Sequence, residues 1–365
     1  TSFITTAMHT PNSPFTREQL LPKEETLELT KEKEALFIGI PKETSLQEKR
    51  VCLTPDAVSA LTSNGHRLLI ESGAGKNACF EDYEYSEAGA EISKDKAKVF
   101  ACPVVLKVEP PTLQEIALLK PKSLLISALQ LKLQNKNYFQ KLAEKQVTAL
   151  GFEFIKDQEG SFTAVRQLSE IAGSASILIA SEIMSITNEG NGLMFGNVSG
   201  VPPTEVVIIG AGTVGEFAAR AAIGLGANVR VFDHSITKLR ALQANSKQTV
   251  YTSTMQPKNL QKALMRCDVA IGAAKGNNRA PILVNEALVE QMKPGAVIVD
   301  VSIDMGGCFE TSEVTSHDNS TFIKHNVIHY CVPNISARYA RTSSVSISNI
   351  FTPYLLKIAE DGGIE

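Results

Sequence analysis

Three glycines with the spacing G-x-G-x-x-G follow a run of four apolar residues: Gly210, Gly212 and Gly215. Small and apolar residues then recur at helical spacing, and a second apolar run ends at Asp233. A strand, a glycine turn and a helix in this order let the backbone approach a pyrophosphate, and the helix N-terminus favours negative charge. The pattern therefore predicts a bound dinucleotide.

Each glycine of this turn has its own predicted role. Gly210 permits the tight turn, Gly212 lets the backbone approach the phosphates, and Gly215 lets the helix pack closely on the strand. Thr213 and Val214 lie between the last two glycines. We count both of them with the predicted cofactor-binding residues.

Asp233 indicates which dinucleotide to expect. A carboxylate at this position accepts hydrogen bonds from a ribose 2′-OH and repels a 2′-phosphate, so NAD is favoured over NADP. Lys238 and Arg240 follow closely in the sequence and are near enough to bind a phosphate. The preference for NAD therefore stays a hypothesis at this point.

Composition limits the classes of protein that the chain can belong to. The formal net charge is −3, with scattered lysines, which gives no support to a nucleic-acid partner. No apolar run reaches the ~18 residues of a membrane helix, and the first 35 residues lack the apolar core of a secretory signal. Six widely spaced cysteines without a C-x-x-C motif predict reduced thiols, no metal site and a cytoplasmic protein.

The elements that must position these residues alternate between helix and strand along most of the chain. This alternation predicts an α/β fold: two Rossmann-like, doubly wound parallel-sheet domains joined by long helices. The predicted parts are an N-terminal arm (1–35), a discontinuous substrate domain (36–167 plus 335–365) and an NAD-binding domain (168–334). The active site is expected in the cleft between the two domains.

Eight segments carry a more specific signal: GIPKE (39–43), KRVCLTPDAV (49–58), ESGAG (71–75), LKV (106–108), LSEIAG (168–173), GAGTVGEFAAR (210–220), MKPGAVIVDVSIDMGGCFE (292–310) and HYCVPN (329–334). In order and spacing they resemble alanine dehydrogenase, a family closely related to the NAD-binding subunit of nicotinamide nucleotide transhydrogenase. The resemblance implies NAD as cofactor and reversible oxidative deamination of L-alanine to pyruvate and ammonia. It also implies a homo-oligomer, either a hexamer or a dimer.

The resemblance assigns candidate roles to single residues. Arg50 matches the arginine that binds the substrate carboxylate, for which a guanidinium is well suited. Lys107 matches the substrate-binding lysine, and burial in a closing apolar cleft is expected to lower its pKa enough for proton exchange. Asp304 matches the catalytic aspartate beside the nicotinamide. The further cofactor contacts that carry over are Ser169, Lys238 and Asn334.

Gln130 departs from the family, which carries a catalytic histidine at this position. Glutamine can hydrogen-bond a pyruvate oxygen but cannot relay a proton near neutral pH. Arg166 and Gln167 resemble residues of the transhydrogenase subunit near the nicotinamide side of the cleft. Three interpretations therefore stay open: an alanine dehydrogenase that uses Lys107 and Asp304, a transhydrogenase-type NAD-binding subunit, and a catalytically impaired NAD-binding protein.

Overall fold

The computed structural model describes residues 35–360, apart from positions 46, 189, 247 and 277. The predicted N-terminal arm lies outside the described residues, except for Ala35. The described part of the chain folds around two β-sheets, and helices cover the faces of both sheets.

The first sheet contains six strands: β1 (Phe37–Ile40), β2 (Arg67–Glu71), β3 (Glu91–Ser93), β4 (Val104–Leu106), β5 (Leu124–Ser127) and β6 (Thr148–Gly151). Their spatial order is β3-β2-β1-β4-β5-β6, and every neighbouring pair is parallel. This is the strand order of doubly wound nucleotide-binding folds. All residues of β4 and β5 are buried, as expected for central strands with helices on both faces.

The second sheet contains seven strands: β7 (Glu205–Ile209), β8 (Asn228–Phe232), β9 (Tyr251–Ser253), β10 (Val269–Gly272), β11 (Val297–Asp300), β12 (Thr321–Lys324) and β13 (Val327–Tyr330). Their order is β12-β13-β11-β10-β7-β8-β9. The pairs are parallel except for the edge hairpin of β12 and β13. The prediction of two doubly wound parallel-sheet domains is therefore confirmed. The antiparallel pairing of β12 with β13 at the edge of the second sheet was not predicted.

The helices alternate with these strands: α1 (Pro55–Ser63), α2 (Asp82–Glu87), α3 (Lys96–Phe100), α4 (Leu113–Leu118), α5 (Lys136–Glu144), α6 (Thr163–Ile183), α7 (Thr213–Gly224), α8 (Ile236–Asn245), α9 (Pro257–Leu264), α10 (Glu286–Val289) and α11 (Ala340–Glu360). Short 3₁₀ helices lie at Lys76–Ala78, Phe152–Phe154, Ile186–Asn188, Val301–Met305 and Ile335–Tyr339. In the part of the chain that the structure describes, no helix has both the length and the apolar character to cross a bilayer.

The two longest helices, α6 and α11, connect the domains. The first turn of α6 adds Ala164 to the core of the first sheet, whereas its later turns pack in the core of the second. A side chain at Gly173 of α6 would overlap the carbonyl oxygen of Val214, so this glycine allows α6 to lie close against α7. Apolar residues of α11, such as Phe351, return to the core of the first sheet. The exact domain boundaries given above stay predictions.

Hydroxyl groups of α11 also fix the loop that follows Arg50. Ser344 Oγ accepts a hydrogen bond from the Val51 N–H at 2.9 Å, and Ser348 Oγ accepts one from the Thr54 N–H at 3.1 Å. Both serines are buried. Because buried backbone N–H groups need acceptors, the C-terminal helix holds this N-terminal loop, and thereby Arg50, in one position.

Candidate active site

The glycine turn has the geometry that a dinucleotide requires. Gly210 has φ 113°, and an added side chain would overlap the carbonyl oxygen of Ala273. An added Cβ at Gly215 would overlap the carbonyl oxygen of Gly210, so α7 begins directly against the turn. A Cβ placed on Gly212 meets no described atom within 4 Å. The space in front of Gly212, at the N-terminus of α7, is therefore open to a phosphate.

Asp233 follows β8 and is tied to the same turn. Its Oδ2 accepts a hydrogen bond from the Ala211 N–H and its Oδ1 accepts one from the Ser235 N–H, each at 2.7 Å. A carboxylate offers about four lone-pair sites, so two acceptor positions remain for ribose hydroxyl groups. Lys238 lies on the exposed side of α8, one turn beyond Asp233. The residues present thus fit a dinucleotide whose adenosine ribose carries a free 2′-hydroxyl group.

Lys107 follows β4 and lies in a buried ion cluster. Its Nζ donates to Glu43 Oε2 at 2.8 Å, and Glu115 Oε2 lies at 3.5 Å. The other oxygen of Glu43 accepts from the Val108 N–H at 2.7 Å. The side chain of Lys107 is 1% exposed. Two carboxylates therefore hold this ammonium group at the carboxyl end of the first sheet.

The expected pKa of Lys107 was wrong in direction. Burial by itself lowers the pKa, but the carboxylates of Glu43 and Glu115 outweigh it, so the pKa of Lys107 is raised above its usual value. The cleft around Lys107 is charged rather than apolar. The two carboxylates therefore favour the charged form of Lys107.

Arg50 is buried and uses one side of its guanidinium to bind Glu48. Arg50 Nε donates to Glu48 Oε1 at 2.7 Å, and Nη2 donates to Oε2 at 2.5 Å. Nη1 donates to Ser336 Oγ at 3.2 Å. A guanidinium has five N–H groups, so among the described residues one N–H on each terminal nitrogen lacks an acceptor. These two groups are what a substrate carboxylate requires for bidentate binding.

Asn334 joins the two domains at the crossover into α11. It has φ 54°, in the left-handed region. Its Nδ2 donates to Glu48 Oε2 at 3.0 Å, and its backbone N–H donates to Asp304 Oδ1 at 2.7 Å. A continuous chain of contacts thus runs from Arg50 through Glu48 and Asn334 to Asp304. It brings together residues that are far apart in the sequence.

Asp304 lies in the 3₁₀ helix that follows β11, and its side chain reaches solvent. Desolvation by the surrounding cleft raises the pKa of Asp304 above its usual value, although the Asn334 N–H and Arg50 both act to lower it. Asp300, at the end of β11, is buried and accepts hydrogen bonds from the Ser302 and Cys308 N–H groups. Asp300 therefore fixes the loop that carries Asp304.

Gln130 lies in a turn after β5, the strand beside β4. Its φ is 47°, and its N–H and that of Leu129 both donate to Glu153 Oε1 at 2.8 Å. In the same turn, Lys132 Nζ donates to Asn278 Oδ1 of the second domain at 3.0 Å. Glu153 therefore holds Gln130 at the carboxyl end of the first sheet, and the turn that carries it contacts the other domain.

Ser169 and Gln167 point to different sides of α6. Ser169 lies one turn before Gly173, on the face that packs against the first turn of α7, and its Oγ donates to the Val165 carbonyl. Gln167 lies on another face and accepts a hydrogen bond from Ser346 of α11. The expected position of Gln167, near the nicotinamide side of the cleft, stays a prediction.

Sequence reasoning missed the carboxylates of the site: Glu43, Glu48, Glu109, Glu115 and Glu153. Glu43 lies within the GIPKE segment, and Glu48 lies two residues before Arg50. A buried cation needs a counter-charge. A search for acidic residues near the segments that carry Arg50 and GIPKE therefore identifies Glu48 and Glu43. Within the described residues, no group of three or more His, Cys, Asp or Glu side chains is arranged to hold a metal ion.

Most of the described chain matches a known protein family. Residues 39–172 match the family described as Alanine dehydrogenase/PNT, N-terminal domain, and residues 176–365 match its C-terminal domain. Alanine dehydrogenase 2 of Staphylococcus aureus (strain USA300) is 38% identical over 327 residues, which cover 89% of this chain and 88% of that protein.

Two solved structures have similar folds. A structure of L-alanine dehydrogenase superposes with a TM-score of 0.84 and 36% identity, covering 90% of this chain and 91% of that one. A transhydrogenase from Sinorhizobium meliloti superposes with a TM-score of 0.77 and 24% identity, covering 89% and 94%. At this identity, the second similarity concerns the fold alone.

Proposed function

The chain belongs to the alanine dehydrogenase/PNT family, and on that premise we propose that it is an NAD-dependent alanine dehydrogenase that converts L-alanine reversibly to pyruvate and ammonia. The observation that carries the proposal is the open pair of N–H groups on Arg50, linked through Glu48 and Asn334 to Asp304. This arrangement offers a cation to a carboxylate and an anion to an amine. An α-amino acid carries both of these groups.

The residues that would hold NAD lie at the carboxyl edge of the second sheet. We propose that the turn from Gly210 to Gly215 and the first turn of α7, with Thr213 and Val214, bind the pyrophosphate. Asp233 would bind the ribose hydroxyl groups. When bound, NAD supplies the hydride acceptor of the oxidation. The remaining proposed cofactor contacts are Ser169, Lys238 and Asn334.

The substrate is held by charges that the cleft already fixes in place. Arg50 binds the carboxylate with the two N–H groups that Glu48 and Ser336 leave open. Lys107, kept protonated by Glu43 and Glu115, stabilises negative charge that develops on a substrate oxygen. These charges are fixed before the substrate enters, so little reorganisation is needed during the reaction.

Asp304 and Gln130 complete the proposed substrate site. Asp304 accepts hydrogen bonds from the substrate amine, and its raised pKa lets it change protonation closer to neutral pH than an ordinary aspartate does. Gln130 donates a hydrogen bond to a substrate oxygen from its fixed turn. It cannot relay a proton, so another group must carry the protons of the deamination.

The test is an assay of the full chain with NAD and L-alanine, followed through the absorbance of reduced nicotinamide. We expect turnover with L-alanine and little with L-glutamate or L-leucine. NAD binding is measured separately by calorimetry. Binding without turnover would instead support the catalytically impaired protein that Gln130 favours. A transhydrogenase-type subunit would give no alanine turnover and would require an NADP-binding partner.

We further propose a homo-oligomer, a hexamer or a dimer, that acts in the cytoplasm. The resemblance to the family supports the oligomer, and the six thiols, all unpaired, suit a reducing compartment. The mass of the purified chain in solution, measured by light scattering, tests the oligomeric state. A monomer at the concentration of the activity assay would contradict it.

Replacing Asp233 with serine is expected to reduce the preference for NAD over NADP by about 10–100-fold, because one charged hydrogen bond to the ribose is lost together with the repulsion of a 2′-phosphate. The measurement is kcat/KM for each dinucleotide. Glu87→Gln, which removes an exposed charge on α2, is the control and should leave the ratio unchanged. An unaltered ratio in Asp233→Ser would contradict the assignment of the NAD preference to Asp233.

A further inference from the structure

The cleft contains more carboxylates than cations. Arg50 is paired with Glu48, and Lys107 is paired with Glu43 and Glu115. Glu109 adds a fourth glutamate to this cluster. Because buried like charges disfavour one another's ionisation, a proton is most readily taken up by the carboxylate that has the fewest compensating contacts.

Glu109 is that carboxylate. It lies two residues beyond Lys107, at the carboxyl edge of β4, and the bond from the Val108 N–H to Glu43 fixes the backbone next to it. Its side chain is half-buried. Among the described residues it makes no hydrogen bond, whereas Glu43, Glu48 and Glu115 are each bonded to a cation. Its partly exposed carboxylate therefore has acceptor positions that no described residue occupies.

We propose that Glu109 is the acid/base residue of the deamination, which exchanges protons with the attacking water and the departing amine. The assignment rests on the proposed alanine dehydrogenase activity. Glu109 would supply the proton relay that Gln130, at the position of the family histidine, cannot provide. Glu109 follows β4 and Gln130 follows β5, so the ends of two neighbouring parallel strands place both residues at the same sheet edge.

The electrostatic surroundings of Glu109 suit this role. Burial, followed by repulsion from Glu48 and Glu43, raises the pKa of Glu109 to about 7, against the opposing effect of Lys107 and Arg50. A general base works best when its pKa lies near the operating pH. The cations of Glu48 and Glu115 instead lower the pKa values of these two carboxyl groups. Burial raises the pKa of Glu43 as well, but both of its oxygens are occupied by Lys107 and the Val108 N–H, which leaves Glu109 as the carboxylate without a partner among the described residues.

The proton transfers balance as follows. Once the substrate ammonium has lost a proton to solvent and the substrate has been oxidised to its iminium form, water adds to the iminium carbon, its proton passes to the Glu109 carboxylate, and the C=N electron pair moves to nitrogen. Glu109 then protonates the amine nitrogen, and the C–N bond breaks with its electron pair leaving on ammonia. The proton of the carbinol oxygen passes through Glu109 to ammonia as the carbonyl forms. The products are pyruvate and ammonium, and the carboxylate is regenerated.

The first test replaces Glu109 with glutamine and measures the pH dependence of alanine oxidation. In the parent, kcat/KM should fall as the pH drops below about 7, because the base becomes protonated. In Glu109→Gln we expect kcat about 10²–10⁴-fold lower, an unchanged KM and no fall near that pH. Glu109→Asp should retain part of the activity, and Glu109→Gln/Gln130→His should recover part of it. Glu87→Gln is the charge-matched control.

A second measurement does not depend on turnover. The carboxyl carbons of ¹³C-labelled glutamate are titrated in the chain without ligand, and the resonance that is missing in Glu109→Gln identifies Glu109. A midpoint near 7 supports the assignment, and a midpoint near that of an exposed glutamate overturns it. If the parent oxidises alanine and Glu109→Gln keeps its rate and pH profile, this role alone is overturned. If the parent does not oxidise alanine at all, the proposed function is overturned together with it.

Discussion

Replacing Lys107 with methionine is expected to lower kcat for L-alanine by about 10²–10³-fold and the free energy of unfolding at neutral pH by about 3–5 kcal/mol. Methionine is close to lysine in length but carries no charge. The substitution therefore leaves Glu43, whose side chain is 7% exposed, without a cation, whereas Glu115 keeps its ion pair with Lys96 at 2.7 Å. An unpaired buried charge lowers the free energy of unfolding far more than the loss of an exposed ion pair does.

The loss of stability is expected to depend on pH. Burial raises the pKa of Glu43 even with Lys107 present, and removing the cation raises it further. A carboxyl group whose pKa is higher in the folded state than in the unfolded state destabilises the protein above its folded pKa. The destabilisation should therefore be greatest at neutral and alkaline pH, and it should shrink as the pH falls towards the ordinary glutamate value.

The measurement combines denaturant unfolding at several pH values with steady-state kinetics. The matched control is Lys107→Met/Glu43→Gln, which removes the unpaired charge of Glu43 as well. It should recover much of the stability but none of the activity, which separates the catalytic role of Lys107 from its structural one. Parent-like turnover in the single variant would show that the reaction does not need this cation.

The fold could be predicted from the sequence because its signals are local. The apolar runs of β7 and β8, the glycine turn between them and Asp233 lie within one stretch of about 30 residues. Each step of that argument uses neighbours in the chain. The antiparallel strand β12 was missed because its residues are only partly buried and lack the apolar run that marks a central strand.

The charges of the site could not be predicted in the same way. Residues 64 positions apart form the contact between Lys107 and Glu43, and residues 286 positions apart form the contact between Glu48 and Asn334. The resemblance to a family indicated Lys107 but not its partners. Since those partners decide the sign of the pKa shift, the expectation of a lowered pKa for Lys107 was wrong.

Replacing Arg50 with lysine is expected to lower kcat/KM for L-alanine by about 10²–10³-fold, mostly through a higher KM, because bidentate binding of the substrate carboxylate is lost. A lysine has a single nitrogen, so it cannot bind Glu48 and a substrate carboxylate each through two nitrogens as a guanidinium can. The affinity for NAD should be unchanged, since the glycine turn and Asp233 lie on the second sheet.

The matched control for Arg50→Lys is Arg67→Lys, which makes the same exchange in an exposed arginine–glutamate pair. Its effect on kinetics and stability should be small, because exposed ion pairs contribute little. An unchanged KM in Arg50→Lys would contradict the assignment of Arg50 to the carboxylate. An equal loss of NAD affinity would indicate instead that Arg50 acts by holding the two domains together through Glu48 and Asn334. The comparison of KM with NAD affinity therefore decides between a residue that binds substrate and one that positions the crossover.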